Sequence, residues 1–396
     1  MNVHIYLESS FPEGMAATKR VACYAKGLTS VGALVDVVCT HRIIERQHDE
    51  SYPEKGIYES IPYSYSSGKY KSANKFFRGL DWIVLDAFRA YLYVLRSVSK
   101  DDVILVYGYS IFMQLAIILA ARKVGAKVVK ETCEHPSSIV NMSSAKNRML
   151  KRLEYRYIMP LYDGFIAISR SLENFCIRYK RKNAKVIIVP ILVEDKNNID
   201  FSDRCSPYQV PYIIHTGTML EQKDSISKIL LAFSKFKRKT NSQCKLVFTG
   251  PQAMPDCTYI PIIKKLQIEK DVELLGFVSA EEIQVLQHFA AFTIIYKSDN
   301  LQTRNCFPTK LGEMLIASVP VITTNVGDAN FYLENAKNAY IVNDGDYDQL
   351  VHYMDELINN KEKAIEIGRA GRTVAITSFN PKEQGKRLLS FLKSLY

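Results

Sequence analysis

Short apolar runs alternate with amphipathic segments along the chain. Runs rich in Val, Ile and Leu predict strands at 4–7, 35–39, 57–65, 103–106, 127–129, 164–168 and 185–190 in the first half, and at 212–216, 245–249, 272–275, 291–296 and 321–324 in the second. The segments between them, such as 16–28, 80–98, 346–358 and 361–376, carry apolar residues at helical spacing. Strands that alternate with helices form parallel sheets covered by helices on both faces, so the pattern predicts an α/β protein.

One stretch, at 304–328, indicates a ligand. Pro308 opens a predicted helix, because proline suits a first helical turn, and a buried strand follows at 321–324. A helix N-terminus has free N–H groups and a partial positive charge, so it can hold a phosphate. Glu313, about one turn further in, could accept hydrogen bonds from the two hydroxyls of a ribose. Phosphate and ribose together indicate a nucleotide, and the alternative is an ordinary strand–helix–strand unit with a solvated glutamate.

This stretch also carries a family resemblance. The segment PTKLGEML at 308–315, followed by VPVI at 319–322 and by Gly327-Asp328, resembles the donor-site signature of retaining glycosyltransferases with the GT-B fold. The branch it is similar to is the large bacterial group that builds surface polysaccharides (glycosyl transferases group 1 type, family 4). In that family two glutamates are separated by seven residues, and the first of them meets the donor sugar. The second glutamate matches Glu313. The first falls at Asn305, which departs from the pattern and would be the residue that meets the donor sugar here. The resemblance implies that the donor also contacts Pro308, Thr309, Lys310 and Leu311.

A second donor-site match opens the second half of the chain. In the family, an arginine beside a glycine and a lysine six residues after that glycine clamp the donor diphosphate. Gly217 matches the glycine and Lys223 the lysine, but Thr218 occupies the arginine position. Arg304 or Lys310 could supply the missing charge, and the sequence does not choose between them. The resemblance further implies that Gly276, Phe277 and Val278 line the pocket for the base.

The first half contributes two further candidates. The family's loop after the first strand approaches the donor phosphates, and Gly14 matches its glycine; a plain tight turn is the alternative. His135 follows a predicted strand end, where catalytic groups concentrate, and the family often has a His or acidic residue there; an incidental loop histidine is the alternative. The implied catalytic set is His135, Lys223 and Glu313. A polar stretch at 49–75 predicts an exposed insertion, with an acceptor-facing loop as the alternative.

A basic segment at 146–161 predicts an amphipathic helix. One face carries Leu150, Leu153, Tyr157 and Leu161, and another carries Arg148, Arg152 and Arg156 with Lys151 beside them. The favoured interpretation is a helix packed on the core with a solvated charged face. The alternative is a helix that lies on an anionic membrane surface.

Composition narrows the class of protein. The 396 residues suffice for two domains, and 47% hydrophobic residues can build real cores. No apolar run is long enough to span a membrane, and the N-terminus lacks a signal-peptide pattern. We therefore expect a cytoplasmic protein, which could be located at the inner face of the plasma membrane. The net charge of +11 favours acidic partners: nucleic acid, anionic lipid or phosphorylated ligands. The eight cysteines form no CxxC pair, which argues for reduced thiols and against a zinc site.

Several motifs are missing from the sequence. There is no G-x-G-x-x-G, P-loop, H-E-x-x-H or G-x-S-x-G, which disfavours dinucleotide dehydrogenases, P-loop NTPases, zinc proteases and serine hydrolases. Asp344-Gly345-Asp346 is similar to the metal-binding acidic pair of the other glycosyltransferase fold, but it precedes a predicted helix that Asp346 would cap. We therefore predict no metal and no cofactor besides the donor.

Taken over nearly the whole chain, the resemblance implies a GT-B fold: two Rossmann-like parallel-sheet domains with a cleft between them. Residues 1–195 would bind the acceptor and 196–379 the nucleotide sugar, with a linker at 194–198, and 380–396 would form a helix that crosses back to the first domain. The implied activity is retaining, hexosyltransferase-like transfer from a nucleotide diphosphate sugar to a glycan or polyprenyl-linked acceptor, in bacterial surface polysaccharide or glycoconjugate synthesis. Retention would follow from same-face attack, with the donor's own phosphate taking the acceptor proton.

Three alternatives remain open. A GT-B sugar-nucleotide epimerase would need acid and base carboxylates across the cleft. A non-catalytic sugar-nucleotide-binding scaffold would accommodate the departures at Thr218 and Asn305. A nucleic-acid binder would explain the positive charge but not the order of the motifs, so we expect no nucleic-acid partner, whereas a peripheral membrane contact fits the basic helix.

Overall fold

The computed structural model describes residues 1–41, 52–69, 85–108, 110–135, 144–195, 201–254 and 256–396. Parts of the predicted insertion at 49–75, of the predicted helix at 80–98 and of the predicted linker at 194–198 lie outside the described residues. The chain forms two compact units. The first comprises residues 1–192 and 380–396, and the second comprises residues 193–379.

The first unit is built on an eight-stranded sheet. Its strands are β1 (Asn2–Leu7), β2 (Leu34–Cys39), β3 (Lys55–Tyr58), β4 (Ile61–Tyr65), β5 (Val103–Tyr107), β6 (Lys127–Thr132), β7 (Gly164–Ala167) and β8 (Lys185–Ile188). They lie in the order β3-β4-β2-β1-β5-β6-β7-β8, and all neighbours are parallel except β3 and β4. The carboxyl ends of the seven parallel strands therefore meet at one edge of the sheet.

The prediction of one strand at 57–65 is wrong, because β3 and β4 form a hairpin there. The chain reverses at Glu59 and Ser60, with φ of 46° and 68°. Positive φ at both central residues is the geometry of a two-residue hairpin turn, which glycine or asparagine usually occupies. With neither residue present, the sequence contains no turn signal at this point.

The described helices before the second unit are α1 (Ala16–Thr29), α2 (Asp86–Ser97), α3 (Ile111–Val124), α4 (Ala145–Leu153) and α5 (Arg170–Tyr179). Ser110 caps α3 by accepting a hydrogen bond from the backbone N–H of Met113 at 3.4 Å. Ser169 caps α5 in the same way through Leu172 at 3.3 Å, as the predicted serine after a strand would. One π-helical turn (Glu154–Ile158) and one 3₁₀ turn (Met159–Leu161) extend α4.

The extended α4 differs from the favoured prediction of a core-packed apolar face. Leu153 and Tyr157 are 41% and 59% exposed. The side chains turned inward include Lys151 and Glu154, which are buried and form an ion pair with each other. Because a buried charge needs a partner, this pair occupies part of the inward side and Leu153 and Tyr157 lie outside, whereas Ile158 and Met159 in the following turns are buried in the core.

The second unit has a six-stranded, all-parallel sheet. Its strands are β9 (Tyr212–Thr216), β10 (Lys245–Thr249), β11 (Val272–Leu274), β12 (Phe292–Ile295), β13 (Val321–Thr324) and β14 (Tyr340–Val342), in the order β11-β10-β9-β12-β13-β14. The order reverses between β9 and β12, as in the doubly wound dinucleotide-binding sheet. In such sheets ligands bind outside the carboxyl ends of the strands at this reversal.

The helices of the second unit are α6 (Glu221–Asp224), α7 (Ile226–Thr240), α8 (Ile260–Leu266), α9 (Ala280–Phe289), α10 (Leu301–Asn305), α11 (Thr309–Ile316), α12 (Tyr347–Asn359) and α13 (Lys361–Ser378). The predicted cap at Asp346 is confirmed, since its side chain accepts from the backbone N–H of Gln349 at 3.0 Å. The short helix α10 was not predicted. Asn300 caps it, accepting from Gln302 and Thr303.

The last helix, α14 (Pro381–Lys393), lies in the first unit and packs on α1. The two helices touch at a pair of glycines, because a Cβ at Gly385 would lie 2.4 Å from the carbonyl oxygen of Gly27. Leu388 and Leu392 of α14 join the core formed by Tyr24 and the strands on that side of the sheet. The predicted fold class, two parallel-sheet α/β domains, is confirmed.

Candidate functional site

The strand reversal of the second unit places two loops side by side. Gly217 follows β9, and Lys297 comes two residues after the end of β12. The neighbouring loops are tied to the first of these: the N–H of Gly217 donates to Thr249 at 3.0 Å, and the N–H of Gly250 donates to Gly276 at 2.7 Å. The carboxyl ends of β9, β10 and β11 are therefore joined by backbone hydrogen bonds into one continuous edge.

Glycine is required where these loops touch. Gly250 has φ of 125°, and a Cβ there would lie 2.2 Å from the carbonyl oxygen of Gly217. Gly217 has φ of 96°, and a Cβ there would lie 2.9 Å from Cε of Lys310. The side chain of Lys310 thus packs directly on the loop that contains Gly217. Any larger residue at position 217 would displace this side chain.

A cluster of charged side chains lies at this edge. The carboxylate of Asp224 accepts a hydrogen bond from Nζ of Lys297 at 2.9 Å, and Nζ of Lys310 lies 3.1 Å from the same oxygen. Nζ of Lys310 also lies 3.2 Å from Nε2 of His215. Lys297 is fixed further by the carbonyl oxygen of Lys223 at 2.6 Å. We call His215, Asp224, Lys297 and Lys310 the lysine cluster.

Burial and the neighbouring charges together set the pKa values in the lysine cluster. Burial, and then the neighbouring charge of Lys310, lower the pKa of His215 to about 3, so the imidazole is neutral near pH 7. Burial by itself would raise the pKa of Asp224, but Lys297 and Lys310 outweigh it and hold that pKa below its usual value. Burial lowers the pKa of Lys310, and Asp224 opposes the shift. Two lysines therefore share one carboxylate, and the cluster has an excess of positive charge.

The helix α11 begins beside this charge. Pro308 precedes its first residue, and no side chain among the described residues caps its N-terminus. Thr309 is exposed and Lys310 is half-buried, while Leu311 is buried in the core. The uncapped N-terminus adds partial positive charge to that of the lysine cluster, and the combination suits an anion such as a phosphate.

Glu313 lies further along α11 and is half-buried. Its charge is near enough to Lys310 to raise the pKa of that lysine, although burial has the larger, opposite effect. Two of the predicted donor residues, Lys310 and Glu313, thus lie close to each other on α11. This arrangement lets one helix present a cation and, close to it, a hydrogen-bond acceptor.

The structure distinguishes the two residues that could replace the arginine missing at Thr218. The carbonyl oxygen of Thr218 is 3.5 Å from Nζ of Lys310. Arg304 instead forms two hydrogen bonds to the carboxylate of Asp299, at 2.5 and 2.7 Å, on the surface. Of these two residues, Lys310 is therefore the one whose cation lies at this position.

Other predicted residues lie around the edge. Asn305 is buried, and its amide nitrogen donates to the carbonyl oxygen of Leu301 at 2.6 Å, within α10. Gly276 is buried in the loop after β11, Phe277 beside it is 80% exposed, and Val278 is half-buried. An apolar ring this exposed, next to the edge that carries the lysine cluster, can stack on a planar ligand.

Two predicted residues belong to the first unit. Gly14 is exposed in the loop between β1 and α1, and a Cβ there would lie 2.0 Å from Oγ1 of Thr18. His135 is half-buried after β6, with its ring edge-on to Phe175 at 4.8 Å. Burial lowers the pKa of His135, so it is neutral near pH 7 and able to accept a proton.

Sequence reasoning missed three members of the lysine cluster: His215, Asp224 and Lys297. A signal existed for each. His215 is the one basic residue within strand β9, which otherwise contains apolar and hydroxyl-bearing residues, and Lys297 directly follows the predicted strand at 291–296. Asp224 adjoins the singled-out Lys223. Polar residues at the carboxyl ends of parallel strands are typical of ligand sites.

Comparison with known proteins connects these features to a family. The family model described as glycosyl transferases group 1 matches residues 201–374, which lie within the second unit. A search of curated proteins finds no match. The helix α11, the glycine loops and the lysine cluster all lie inside the matched stretch.

Solved glycosyltransferase structures resemble the whole chain. Sucrose-phosphate synthase from Thermosynechococcus elongatus is 14% identical with a TM-score of 0.70, covering 100% of this chain and 98% of its own. Anabaena Alr3699/HepE in complex with UDP and glucose is 15% identical with a TM-score of 0.71, covering 99% of each chain. The lipopolysaccharide outer core galactosyltransferase WaaB is 13% identical with a TM-score of 0.65, covering 100% of each.

These findings confirm the predicted resemblance to GT-B glycosyltransferases. The chain has the GT-B fold, and its second unit has the sequence pattern of glycosyl transferases group 1. Of the helices in the part of the chain that the structure describes, none combines the length and the apolar character that a bilayer crossing requires.

Proposed function

We propose that this protein is a retaining glycosyltransferase that moves a sugar from a nucleoside diphosphate sugar to a glycan or lipid-linked acceptor in bacterial surface polysaccharide or glycoconjugate synthesis. The observation that carries the proposal is the lysine cluster. It places excess positive charge beside the N-terminus of α11, at the strand reversal where α/β sheets bind ligands. A diphosphate is the ligand that this combination of charge and position suits best.

The leaving group explains why the charge matters. As the glycosidic bond breaks, negative charge grows on the nucleoside diphosphate, and preorganised cations stabilise it. In the proposed site Lys310 stabilises this charge, because its Nζ lies 3.5 Å from the carbonyl oxygen of Thr218. The family that the sequence resembles has an arginine at this position. Asp224 and Lys297 hold Lys310 in position and keep the net charge positive. Lys223, on the same short helix as Asp224, is the second cation of the diphosphate clamp.

The proposed contacts to the ribose, the sugar and the base involve α11 and the loop after β11. Glu313 accepts hydrogen bonds from the ribose hydroxyls, and the backbone at Thr309 to Leu311 binds the phosphate or the sugar. The base lies against Gly276 and Val278 and stacks on Phe277, whose ring is 80% exposed. Structures of HepE were determined with UDP and with UDP-glucose, which makes uridine diphosphate sugars the first donors to test.

In the proposed reaction, an acceptor hydroxyl attacks the anomeric carbon on the face that the nucleoside diphosphate leaves. The departing phosphate takes the hydroxyl proton, so the configuration is retained without a protein nucleophile or a metal. The first unit binds the acceptor, and His135, neutral near pH 7, lies near the reacting carbon.

Asn305 supports a second candidate function, sugar-nucleotide binding without transfer. It stands where the family has the glutamate that meets the donor sugar, and its amide nitrogen is hydrogen-bonded to Leu301 within α10. A protein that lacks this contact could bind the nucleotide and leave the sugar unactivated.

A thermal-shift screen with UDP, GDP, ADP and CMP, followed by turnover of the sugars of the best ligand, tests the proposal. A ligand that binds only the folded state raises the melting temperature. We expect one nucleoside diphosphate to raise it clearly and its sugar to be consumed in the presence of acceptor, with retained configuration by NMR. A shift without turnover would favour the binding protein, and conversion of the sugar without acceptor would favour an epimerase. No shift with any nucleotide would contradict the proposal.

A further inference from the structure

The amino-terminal edge of the first unit's sheet contains a cavity. Lys127 and Lys185 are the first residues of β6 and β8, and Asp163 directly precedes β7. Because these strands are parallel neighbours, their starts lie side by side, at the edge opposite the one where β6 leads to His135. The cavity at these strand starts has a volume of about 420 Å³, which is typical of small-molecule sites. We call it the amino-edge cavity.

Cations outnumber anions in the walls of the amino-edge cavity. The charged side chains that line it are one carboxylate and four cations: Asp163, Lys127, Arg181, Lys182 and Lys185. The carboxylate of Asp163 already has its partners. It accepts a hydrogen bond from the backbone N–H of Val128 at 2.9 Å and forms an ion pair with Arg181. Nζ of Lys127 lies 3.7 Å from the same carboxylate. One anion therefore serves two of the four cations.

The other two cations have no carboxylate partner in the part of the chain that the structure describes. Lys182 and Lys185 are exposed, and neither forms an ion pair with a described residue. Nζ of Lys185 donates to the carbonyl oxygen of Ser394 at 2.5 Å. A carbonyl group is a neutral acceptor, so this hydrogen bond positions the ammonium group and leaves its charge uncompensated.

The residues that follow α14 form another wall of the cavity. Leu395 lines it, and the hydroxyl of Tyr396 donates to the carbonyl oxygen of Asp102 at 2.7 Å. Nζ of Lys127 lies 5.5 Å from the centre of the Tyr396 ring. Asp101 and Asp102 are the other acidic neighbours of this tyrosine, and the Asp102 carboxylate accepts from a backbone N–H three residues earlier at 2.7 Å. These contacts fix the walls without a ligand, so binding would require little further ordering.

We propose that the amino-edge cavity binds a soluble small molecule that carries phosphate groups, at a site separate from the lysine cluster of the second unit. Ammonium and guanidinium groups are the common protein partners of phosphate oxygens. Lys182 and Lys185 supply the uncompensated charge, and the amide of Asn183 between them can donate to a phosphate or hydroxyl oxygen. A bound phosphate would give these two lysines the anion that the described residues do not supply.

The shape of the cavity favours a small molecule over a macromolecule. A volume of about 420 Å³ accommodates a diphosphate or a sugar phosphate. A nucleic acid duplex or a folded partner would contact only the rim, and the lining carboxylate would face its surface without a partner of opposite charge. The proposal concerns charge and volume in the first unit alone, so it holds whether or not the protein transfers sugars.

Calorimetric titration of the full-length protein with inorganic pyrophosphate tests this proposal. The lysine cluster could also bind pyrophosphate, so the titration uses Lys310→Met as the parent protein. We expect binding that weakens at high salt, because the charges are screened. Adding Lys182→Gln/Lys185→Gln should weaken it about 10-fold or more, since two charge-assisted hydrogen bonds are lost. Adding Lys264→Gln/Lys265→Gln, which removes two exposed lysines at α8, should leave it unchanged.

Hydrogen exchange locates the bound pyrophosphate. Exchange should slow at the starts of β6 and β8 and in residues 394–396, and it should not slow in α8. All variants should keep the circular dichroism spectrum of the parent. Protection confined to the second unit, unchanged binding in Lys182→Gln/Lys185→Gln, or an equal loss in Lys264→Gln/Lys265→Gln would each overturn the proposal. So would a preference for an oligonucleotide or for phosphatidylglycerol vesicles over pyrophosphate that the Lys182→Gln/Lys185→Gln change abolishes, which would assign the cavity to nucleic acid or to a lipid headgroup.

Discussion

Each unit buries an ion-pair cluster near the carboxyl edge of its sheet, and the two clusters differ in charge balance. In the first unit, Nε of Arg20 donates to Glu131 at 2.8 Å, and its other nitrogens donate to the carbonyl oxygens of Val189 and Pro190 at 2.7 and 2.6 Å. The hydroxyl of Tyr24 donates to the second oxygen of Glu131 at 3.0 Å. One cation meets one anion, and protein groups satisfy both.

In the second unit, one carboxylate serves two lysines. Asp224 contacts Lys297 and Lys310, and the neighbouring His215 is neutral, so the four residues of the lysine cluster carry a net positive charge, and the Glu313 carboxylate of α11 is a further anion that acts on Lys310. A balanced pair needs nothing else and contributes to structure, whereas an unbalanced one is completed by an anionic ligand. The difference in charge balance is therefore the physical basis for proposing that the donor site lies in the second unit.

Substituting one cation in each cluster should separate stability from function. Arg20→Met leaves Glu131 buried without its partner, and we expect the first unit to lose about 3–5 kcal/mol of unfolding free energy. Lys310→Met leaves the Asp224–Lys297 pair intact, so the change should stay within about 1 kcal/mol. Urea unfolding followed by hydrogen exchange, which resolves the two units, measures both. Equal destabilisation by the two substitutions would contradict the distinction between a structural ion pair in the first unit and a ligand-binding cluster in the second.

Two histidines should give the units opposite responses to acid. Burial lowers the pKa of His215 to about 3, below its unfolded value, so its contribution to stability is complete above pH 6.5 and is lost as the pH falls. The expected loss is about 1.4 kcal/mol per pH unit below 6.5. Burial lowers the pKa of His4, but Asp36 and Asp102 outweigh it and raise that pKa, so its contribution is kept at low pH and lost as the pH rises.

Unfolding measured from pH 7.5 to 4.5 tests this contrast. His215→Asn should flatten the acid-side loss in the second unit, and His352→Asn, at an exposed position of α12, should not. An unchanged acid response in His215→Asn would mean that this histidine is not held neutral by its surroundings.

The proposed hydrogen bonds between Glu313 and the ribose hydroxyls can be tested with a nucleotide that lacks one of those hydroxyls. Glu313→Ala should weaken UDP binding about 10- to 100-fold, because hydrogen bonds to a charged group contribute about 1.5–3 kcal/mol. It should weaken 2′-deoxy-UDP binding much less, since one hydroxyl is already missing. Glu269→Ala, at an exposed position in the same unit, should bind both ligands normally. Equal losses for the two nucleotides would remove Glu313 from the ribose site.

The smallest expected effect concerns the base. Phe277→Ala should weaken UDP binding about fivefold without changing the melting temperature, because stacking contributes about 1 kcal/mol and the ring is exposed in the free protein. Phe331→Ala, which removes a ring that is 52% exposed in the same unit, is the control. Normal affinity in Phe277→Ala, measured by calorimetry, would place the base elsewhere.

Strand periodicity predicted most of the fold. The apolar runs match β9, β10 and β13 residue by residue, because buried parallel strands need continuous apolar residues. It failed where local signals were absent or misleading. The hairpin turn at Glu59-Ser60 lacks the usual turn residues. The extended α4 turns a buried ion pair inward, so Leu153 and Tyr157, two residues of its predicted apolar face, lie outside.

The candidate site was predictable only in part. The 308–315 segment and Gly217 stand out through local motifs that a single stretch of sequence reveals. The lysine cluster joins residues from positions 215, 224, 297 and 310, and its geometry depends on how four separate segments meet at the sheet edge. The choice of Lys310 over Arg304 likewise needed the distance to Thr218.

Calorimetric titration of the protein and Lys310→Met with UDP and with uridine tests the central claim most directly. If the excess charge of the lysine cluster holds the diphosphate, Lys310→Met weakens UDP binding about 10- to 100-fold and leaves uridine binding unchanged. Lys264→Met, which removes an exposed cation from α8, leaves both unchanged. Unaltered UDP affinity in Lys310→Met, or an equal loss for uridine, would contradict the claim that the cluster is a diphosphate site.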